Sequence, residues 1–182
     1  MVARSCFLVL AAGLSVPSQA SFDLMLIQAA GTDATGFSYN VHRYDPVNRV
    51  NLGTFSIGPR AEGMAVSRER NELYAIQQGG QMRVFDYNTG VRSRVETIGG
   101  TVLDAAISTD GSSIYYVNGG DTIWSYGLTS GTSSAVTTLT GSQFRSIGVS
   151  SAGNIFVADS NLNRLRRYQR SGSTFSLSGS SA

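Results

Sequence analysis

Three short segments about 41 residues apart contain the pattern that decides the fold: AEGMAVS at 61–67, LDAAIS at 103–108 and FRSIGVS at 144–150. Ala65, Ala106 and Gly148 occupy the matching position in these segments. A polar turn follows each segment, and then comes a run rich in β-branched and aromatic residues: LYAI at 73–76, IYYV at 114–117 and IFVA at 155–158. Such runs, bounded by turn residues, are typical of β-strands. The chain is therefore built from an internal repeat.

Each repeat unit contains four short strands joined by tight turns. Its third run ends in an aromatic residue, Phe85, Tyr126 or Tyr168, and its fourth is rich in Ser, Thr and Val. Turn pairs such as Asp110 and Gly111 supply the positive-φ positions that hairpin loops require. No stretch carries the apolar stripe of an amphipathic helix. The pattern predicts an all-β chain.

A single four-stranded unit cannot bury both of its faces, whereas units stacked around a common axis shield one another. We therefore predict a β-propeller arc of about four four-stranded blades, with boundaries near 22–58, 59–99, 100–140 and 141–182. Small residues such as Gly63 and Ala105 suit the innermost strand, where neighbouring blades crowd together.

Two of the units resemble known repeat families. The segment SAGNIFVADSNLNRLRRY at 151–168 resembles an NHL repeat, with its Gly-Asn turn and its Val-Ala-Asp strand end. Residues 106–131 are similar to a YVTN-type repeat, with an S-x-Asp-Gly turn, a Tyr-rich strand and a closing Thr-x-Gly. The resemblance implies a propeller and says little about activity, because one fold hosts many functions.

The first unit departs from the repeat. FDLMLIQ at 22–28 matches the second strand of the later units, so we expect the first blade to lack its inner strand. Propellers of the resembled type usually have six or seven blades, which implies a fragment of such a ring, and a small four-bladed ring remains the alternative. An open arc exposes blade edges, which favours self-association.

The first twenty residues have the pattern of a secretory signal. Arg4 precedes an apolar run at 7–16, and small residues stand at Ser18 and Ala20, where a signal peptidase selects its site. We predict a signal peptide at 1–20, a mature chain at 21–182, and a secreted or periplasmic location. Cleavage would remove Cys6, the single cysteine, so the mature chain could form no disulfide.

Charge and motif content narrow the function classes. The 14 basic residues, all Arg, and 12 acidic residues give a formal charge of +2 spread along the chain, which does not indicate a nucleic-acid surface. No later apolar stretch is long enough for a transmembrane anchor. The sequence contains neither a GxSxG elbow nor a phosphate-binding loop, and its single histidine, His42, cannot form a multi-histidine site. We predict no catalytic residues and no cofactor.

Glu62 supports one enzymatic alternative. Its context AEGMAV resembles the Glu-Gly start of the inner strand in gluconolactonase-like propellers, where the resemblance implies a Glu that binds a divalent cation. Such a cation needs further oxygen ligands, and the equivalent positions here hold Leu103 and Arg145, which do not ligate cations. A solvated carboxylate at a strand start is the other interpretation.

Three residues are candidate ligand contacts: Arg164, Arg166 and Trp124. Arg164 and Arg166 belong to the one concentration of charge and would point to one face of a strand, where they could bind an anionic ligand. The alternative is a charged strand that resists edge pairing. Trp124 could stack on a sugar, although aromatic residues of strands also pack between blades.

The sequence thus predicts a non-catalytic secreted or periplasmic scaffold that binds a protein or carbohydrate ligand. Two alternatives stay open. The chain could be the N-terminal part of a gluconolactonase-like, metal-dependent hydrolase, or a YVTN-like structural protein of the cell surface.

Overall fold

A computed structural model describes residues 6–9, 24–32, 36–45, 48–58 and 61–181. All regular secondary structure in these ranges is β, and none of their segments is a helix able to cross a membrane. The strands are β1 Cys6–Val9, β2 Leu24–Thr32, β3 Gly36–Asp45, β4 Val50–Gly58, β5 Gly63–Ser67, β6 Glu72–Ile76, β7 Gln81–Asp86, β8 Arg92–Thr97, β9 Asp104–Ile107, β10 Ser113–Val117, β11 Thr122–Gly127, β12 Ser133–Thr138, β13 Phe144–Val149, β14 Ile155–Asp159, β15 Arg164–Ser171 and β16 Thr174–Ser181.

The strands form four separate four-stranded sheets. Sheet 1 contains β1 to β4, sheet 2 β5 to β8, sheet 3 β9 to β12 and sheet 4 β13 to β16, and neighbours in sequence pair antiparallel throughout. This is the up-and-down order of propeller blades. The predicted all-β class and the four-unit repeat are confirmed.

Sheet 1 corrects one expectation. The first blade does not lack its inner strand, because β1 pairs with β2 from Cys6 opposite Gln28 to Val9 opposite Met25. This pairing satisfies backbone groups on β2 that would otherwise form an open edge. The repeat pattern missed the strand because it lies within 1–20, the segment predicted to be a signal peptide, and does not share the motif of the later inner strands.

The core lies between the sheets. Along β6, Leu73 and Ala75 pack toward sheet 1, whereas Tyr74 and Ile76 pack toward sheet 3. This alternation follows from the two-residue period of a strand and buries both faces of sheet 2. A third cluster, which includes Tyr115 of sheet 3 and Phe144 of sheet 4, joins the last two sheets. Full burial of each large apolar side chain stabilises the fold by about 1.5–3 kcal/mol.

The inner strands of successive sheets lie side by side, β5 against β9 and β9 against β13. At Gly63 an added Cβ would lie 2.9 Å from both the Cβ and the backbone N of Ala105. A larger residue would push the two strands apart. The predicted preference for small residues near the axis is therefore confirmed at this position.

The sheets do not close into a ring. The three core clusters join sheets 1 and 2, 2 and 3, and 3 and 4, and no core cluster of the described residues joins sheet 4 to sheet 1. The molecule is therefore an open β-propeller arc. The face of sheet 4 that points away from sheet 3 carries Leu165, which is 49% exposed.

Candidate functional site

A groove of about 420 Å³ opens between sheets 1 and 2, on the side away from the inner strands. It is lined by Ser56, Ile57, Gly58, Arg83, Phe85, Gly90 and Arg92. The volume lies in the range of binding pockets for small ligands or short peptide segments. We refer to these residues as the interblade groove.

Arg83 forms one wall of the groove by reaching from β7 to sheet 1. Its Nη1 donates a hydrogen bond of 3.0 Å to the carbonyl oxygen of Ile57, and its Nη2 lies 3.4 Å from the Oε1 of Gln81. Gly58 allows this approach, because an added Cβ there would overlap Nη1 of Arg83. The arginine thus links the two sheets while remaining beside the open groove.

The floor of the groove is aromatic. The rings of Phe55 and Phe85 lie with their centroids 5.9 Å apart at an interplanar angle of 37°. Gly90, with φ +71°, ends the β7–β8 turn, and an added Cβ would overlap the Phe55 ring. Glycine at this position therefore permits both the left-handed backbone conformation and the close packing of the turn against Phe55.

The two arginines of the groove have no acidic partner. Neither Arg83 nor Arg92 forms an ion pair with a carboxylate in the described part of the chain, and Arg92 is exposed. Nε of Arg83 is shielded and has no hydrogen-bond partner among the same residues. The groove therefore presents positive charge that no carboxylate of the described residues neutralises. Sequence reasoning missed it, because its residues come from two separate repeat units.

The opposite face of sheet 2 carries a network of acid–base pairs beside its apolar core. Arg94 pairs with both Glu72 and Glu96, and the Tyr74 hydroxyl donates to Glu72 at 2.5 Å. Burial opposes ionisation of Glu72, but its hydrogen bonds with Arg94 and Tyr74 outweigh that effect and lower its pKa. The Arg94 and Glu96 spacing of two residues was a sequence signal for this network, since both side chains fall on one face of β8.

The same network ties sheet 2 to sheet 3. The Tyr126 hydroxyl donates to Glu96 at 2.8 Å. Burial and this hydrogen bond raise the pKa of Tyr126 to about 12, so its phenol stays protonated near neutral pH. These groups hold two blades together and leave no unpaired base for proton transfer.

Glu62 stands immediately before β5, partly exposed, and its backbone N–H donates to the carbonyl of Ile76. Leu103 occupies the equivalent place before β9, since its own N–H donates to Val117. Within the described ranges, no group of three or more His, Cys, Asp or Glu side chains could hold a metal ion. The donor set implied by the Glu62 resemblance is not assembled there.

Arg166 is buried, with 6% of its surface exposed, and its Nε donates to Asp159 Oδ2 at 2.8 Å. Burial opposes ionisation of Asp159, but donors that include the Gln143 N–H and the Arg166 guanidinium outweigh it and lower its pKa to about 2. Asp159 also accepts from the N–H of Asn161, so it caps the turn that follows β14. Arg166 thus serves the structure of sheet 4.

The other two candidate ligand contacts lie apart. Arg164 is exposed at the start of β15, in sheet 4. Trp124 lies in sheet 3, packs against the core between sheets 2 and 3, and stacks on Tyr116 with ring centroids 6.4 Å apart. The structure does not combine Arg164, Arg166 and Trp124 into one surface.

Solved structures show the same architecture. The chain is similar to the WD40 β-propeller domain of Doa1 (19% identity, TM-score 0.57, covering 82% of this chain and 48% of that one). It is also similar to Kuenenia stuttgartiensis hydrazine synthase (14%, 0.61, 86% and 45%) and to the WD40 repeats of RRP9 (12%, 0.58, 84% and 47%). No family model and no curated protein sequence matches the chain.

At these identities the likeness shows the fold alone. The fold class is that of a β-propeller repeat protein, and the chain spans about half the length of the solved chains that it matches. Similarity at this level shows the propeller fold and does not assign the repeats to the NHL or YVTN type.

Proposed function

We propose that the chain is a non-catalytic interaction scaffold of the secreted or periplasmic compartment, with repeats of the NHL or YVTN type. The observation that carries the scaffold role is the interblade groove, an open site whose charged side chains are Arg83 and Arg92. A guanidinium stays protonated at any physiological pH, so it binds anions well and transfers protons poorly. The groove suits recognition better than chemistry.

The distribution of carboxylates supports the same function. Several described carboxylates accept hydrogen bonds that hold turns or strands together: Asp45, Glu72, Asp86, Glu96, Asp104, Asp110 and Asp159. A general acid or base must be able to reach a substrate proton. Carboxylates committed to internal donors are poorly placed for that task.

The scaffold function is tested by comparing the full chain with Arg92→Gln. Both proteins are immobilised and exposed to the secreted and envelope proteins of the source cells. We expect at least one protein to be retained by the wild type and lost from Arg92→Gln, with Arg49→Gln, at an exposed turn position, as the matched surface control. Turnover of lactone or phosphoester substrates by the purified chain would contradict the proposal.

Export rests on the pattern at 1–20 and has its own test. The full chain is expressed in a secreting host, and the N-terminus of the exported product is sequenced. We expect it to begin at Ser21. A product that keeps residues 1–20 and stays inside the cell would reject export, and would leave β1 in place beside β2.

A further inference from the structure

We propose that the interblade groove binds an acidic peptide segment, with carboxylates on Arg83 and Arg92 and apolar side chains packed beside them. The inference rests on the proposed scaffold function and names the chemistry of its partner. It starts from one face of sheet 2, because the register of β7 and β8 places Arg83 opposite Val95 and Phe85 opposite Arg92. All four side chains therefore belong to the face that points toward sheet 1.

The cationic part of this face is prepared for carboxylates. The Arg83 guanidinium is oriented by its bond to Ile57, which reduces the conformational entropy lost on binding. Arg92 is exposed and carries no competing ion pair within the described chain. The planar fork of a guanidinium matches the two oxygens of a carboxylate, and such charge-assisted bonds are stronger than neutral ones.

Exposed apolar surface on the same face of sheet 2 favours a peptide over a free anion as the ligand. Val95, which lies opposite Arg83 on β8, is 46% exposed. β8 is the last strand of sheet 2, so one of its edges has no strand partner in that sheet. An extended peptide that alternates acidic and apolar residues could lie along this edge and cover Val95.

A peptide fits this chemistry better than a carbohydrate does. Sugar rings stack on open aromatic faces, but Phe85 is only 4% exposed. The exposed groups beside the groove are therefore the guanidinium groups of Arg83 and Arg92 and the side chain of Val95, which complement an acidic, apolar chain segment.

The experiment uses the full chain and two synthetic probes, acetyl-Leu-Glu-Val-Glu-Leu-amide and its counterpart with Gln in place of both Glu. Titrations are followed by NMR at the amide signals of Gly90, Arg92 and Val95. We expect the Glu peptide to shift these signals and to bind at least about tenfold more tightly than the Gln peptide. Added salt should weaken only the Glu peptide.

Arg92→Gln should weaken the Glu peptide about tenfold, because one charge-assisted contact is lost. Arg49→Gln, which removes an exposed arginine from the β3–β4 turn, should leave the affinity unchanged. Arg83→Gln is a second variant, expected to weaken binding further. Arg83 also donates to Ile57, so Arg83→Gln could disturb the fold. Its affinity for the Glu peptide is interpreted only if the NMR spectrum shows a folded chain; if it does not, the affinity of Arg92→Gln alone tests the inference.

Equal affinities for the two peptides, or equal effects of Arg92→Gln and Arg49→Gln, would overturn the inference. So would groove shifts produced by a heparin tetrasaccharide when the Glu peptide produces none. If the peptide fails while the wild type still retains a protein partner that Arg92→Gln loses, the acidic-peptide inference fails and the scaffold function stands. If both binding tests fail, both proposals are rejected.

Discussion

Asp104, the first residue of inner strand β9, accepts a hydrogen bond of 2.5 Å from the hydroxyl of Ser146 on the next inner strand, β13. The same carboxylate accepts a 2.9 Å bond from the N–H of Ile147. β9 and β13 belong to different sheets and share no strand pairing. One side chain therefore supplies polar contacts between sheets 3 and 4 near the axis of the arc.

Asp104→Ala should destabilise the fold by about 2 kcal/mol, because it leaves the Ser146 hydroxyl and the Ile147 N–H without their acceptor. Urea unfolding followed by circular dichroism measures the change. Glu69→Ala, at an exposed turn position, is the control and should alter stability by less than about 0.5 kcal/mol. Equal midpoints for the two variants would show that the contact between sheets contributes nothing.

The strands could be predicted from the sequence because their signal is local. Runs such as IYYV and IFVA became β10 and β14 within one residue at each end. The contact between Asp104 and Ser146 could not be predicted in this way, although each of them lies two residues before the matching position of its repeat, Ala106 or Gly148. Two residues at the same position of successive repeats need not touch, so the repeat pattern does not predict which side chains form contacts between neighbouring sheets.

The ion pair of Arg166 with Asp159 leads to a second prediction. Arg166→Met should destabilise sheet 4 by about 3 kcal/mol at neutral pH, because it leaves a buried carboxylate without its counter-charge. The double variant Asp159→Asn/Arg166→Met should recover part of this loss, since no unpaired charge remains. A double variant that is less stable than Arg166→Met would contradict this explanation.

The pair also sets a dependence on pH. The pKa of Asp159 is about 2 in the folded chain and 3.8 in its ordinary state, so the unfolded chain binds the proton more readily. The stabilisation is therefore complete above the ordinary pKa and is lost as pH falls from about 4 to 2. Arg166→Met should raise the pKa of Asp159 and move acid unfolding to higher pH, whereas exposed Arg164→Met should not.

Trp124 is the only tryptophan, so its fluorescence reports one site. Because the ring stacks on Tyr116 and its Nε1 is shielded, we expect emission at shorter wavelength than free tryptophan and weak quenching by acrylamide. Adding cellohexaose or chitohexaose should leave the spectrum unchanged. A saturable shift with either sugar would instead support the sugar-stacking role that the sequence suggested.

The site was harder to predict than the fold, for a physical reason. Arg166 and Arg164 look alike in sequence, yet one is buried against Asp159 and the other is exposed. No local pattern in the sequence marks Arg83 and Arg92 as site residues, because the groove forms only when sheet 1 packs on sheet 2. A binding surface between repeats depends on tertiary packing, which the pattern of a single repeat does not contain.

Glu62 provides the last prediction, which separates the scaffold from the hydrolase alternative. A divalent cation at the start of β5 would need several oxygen ligands, but Leu103 and Arg145 stand at the equivalent positions, and the positive charge of Arg145 would repel a cation. We therefore expect calorimetric titrations with calcium or zinc to give the same isotherm, without binding heat, for the wild type and Glu62→Gln. Saturable heat that disappears in Glu62→Gln would establish a metal site and favour the hydrolase.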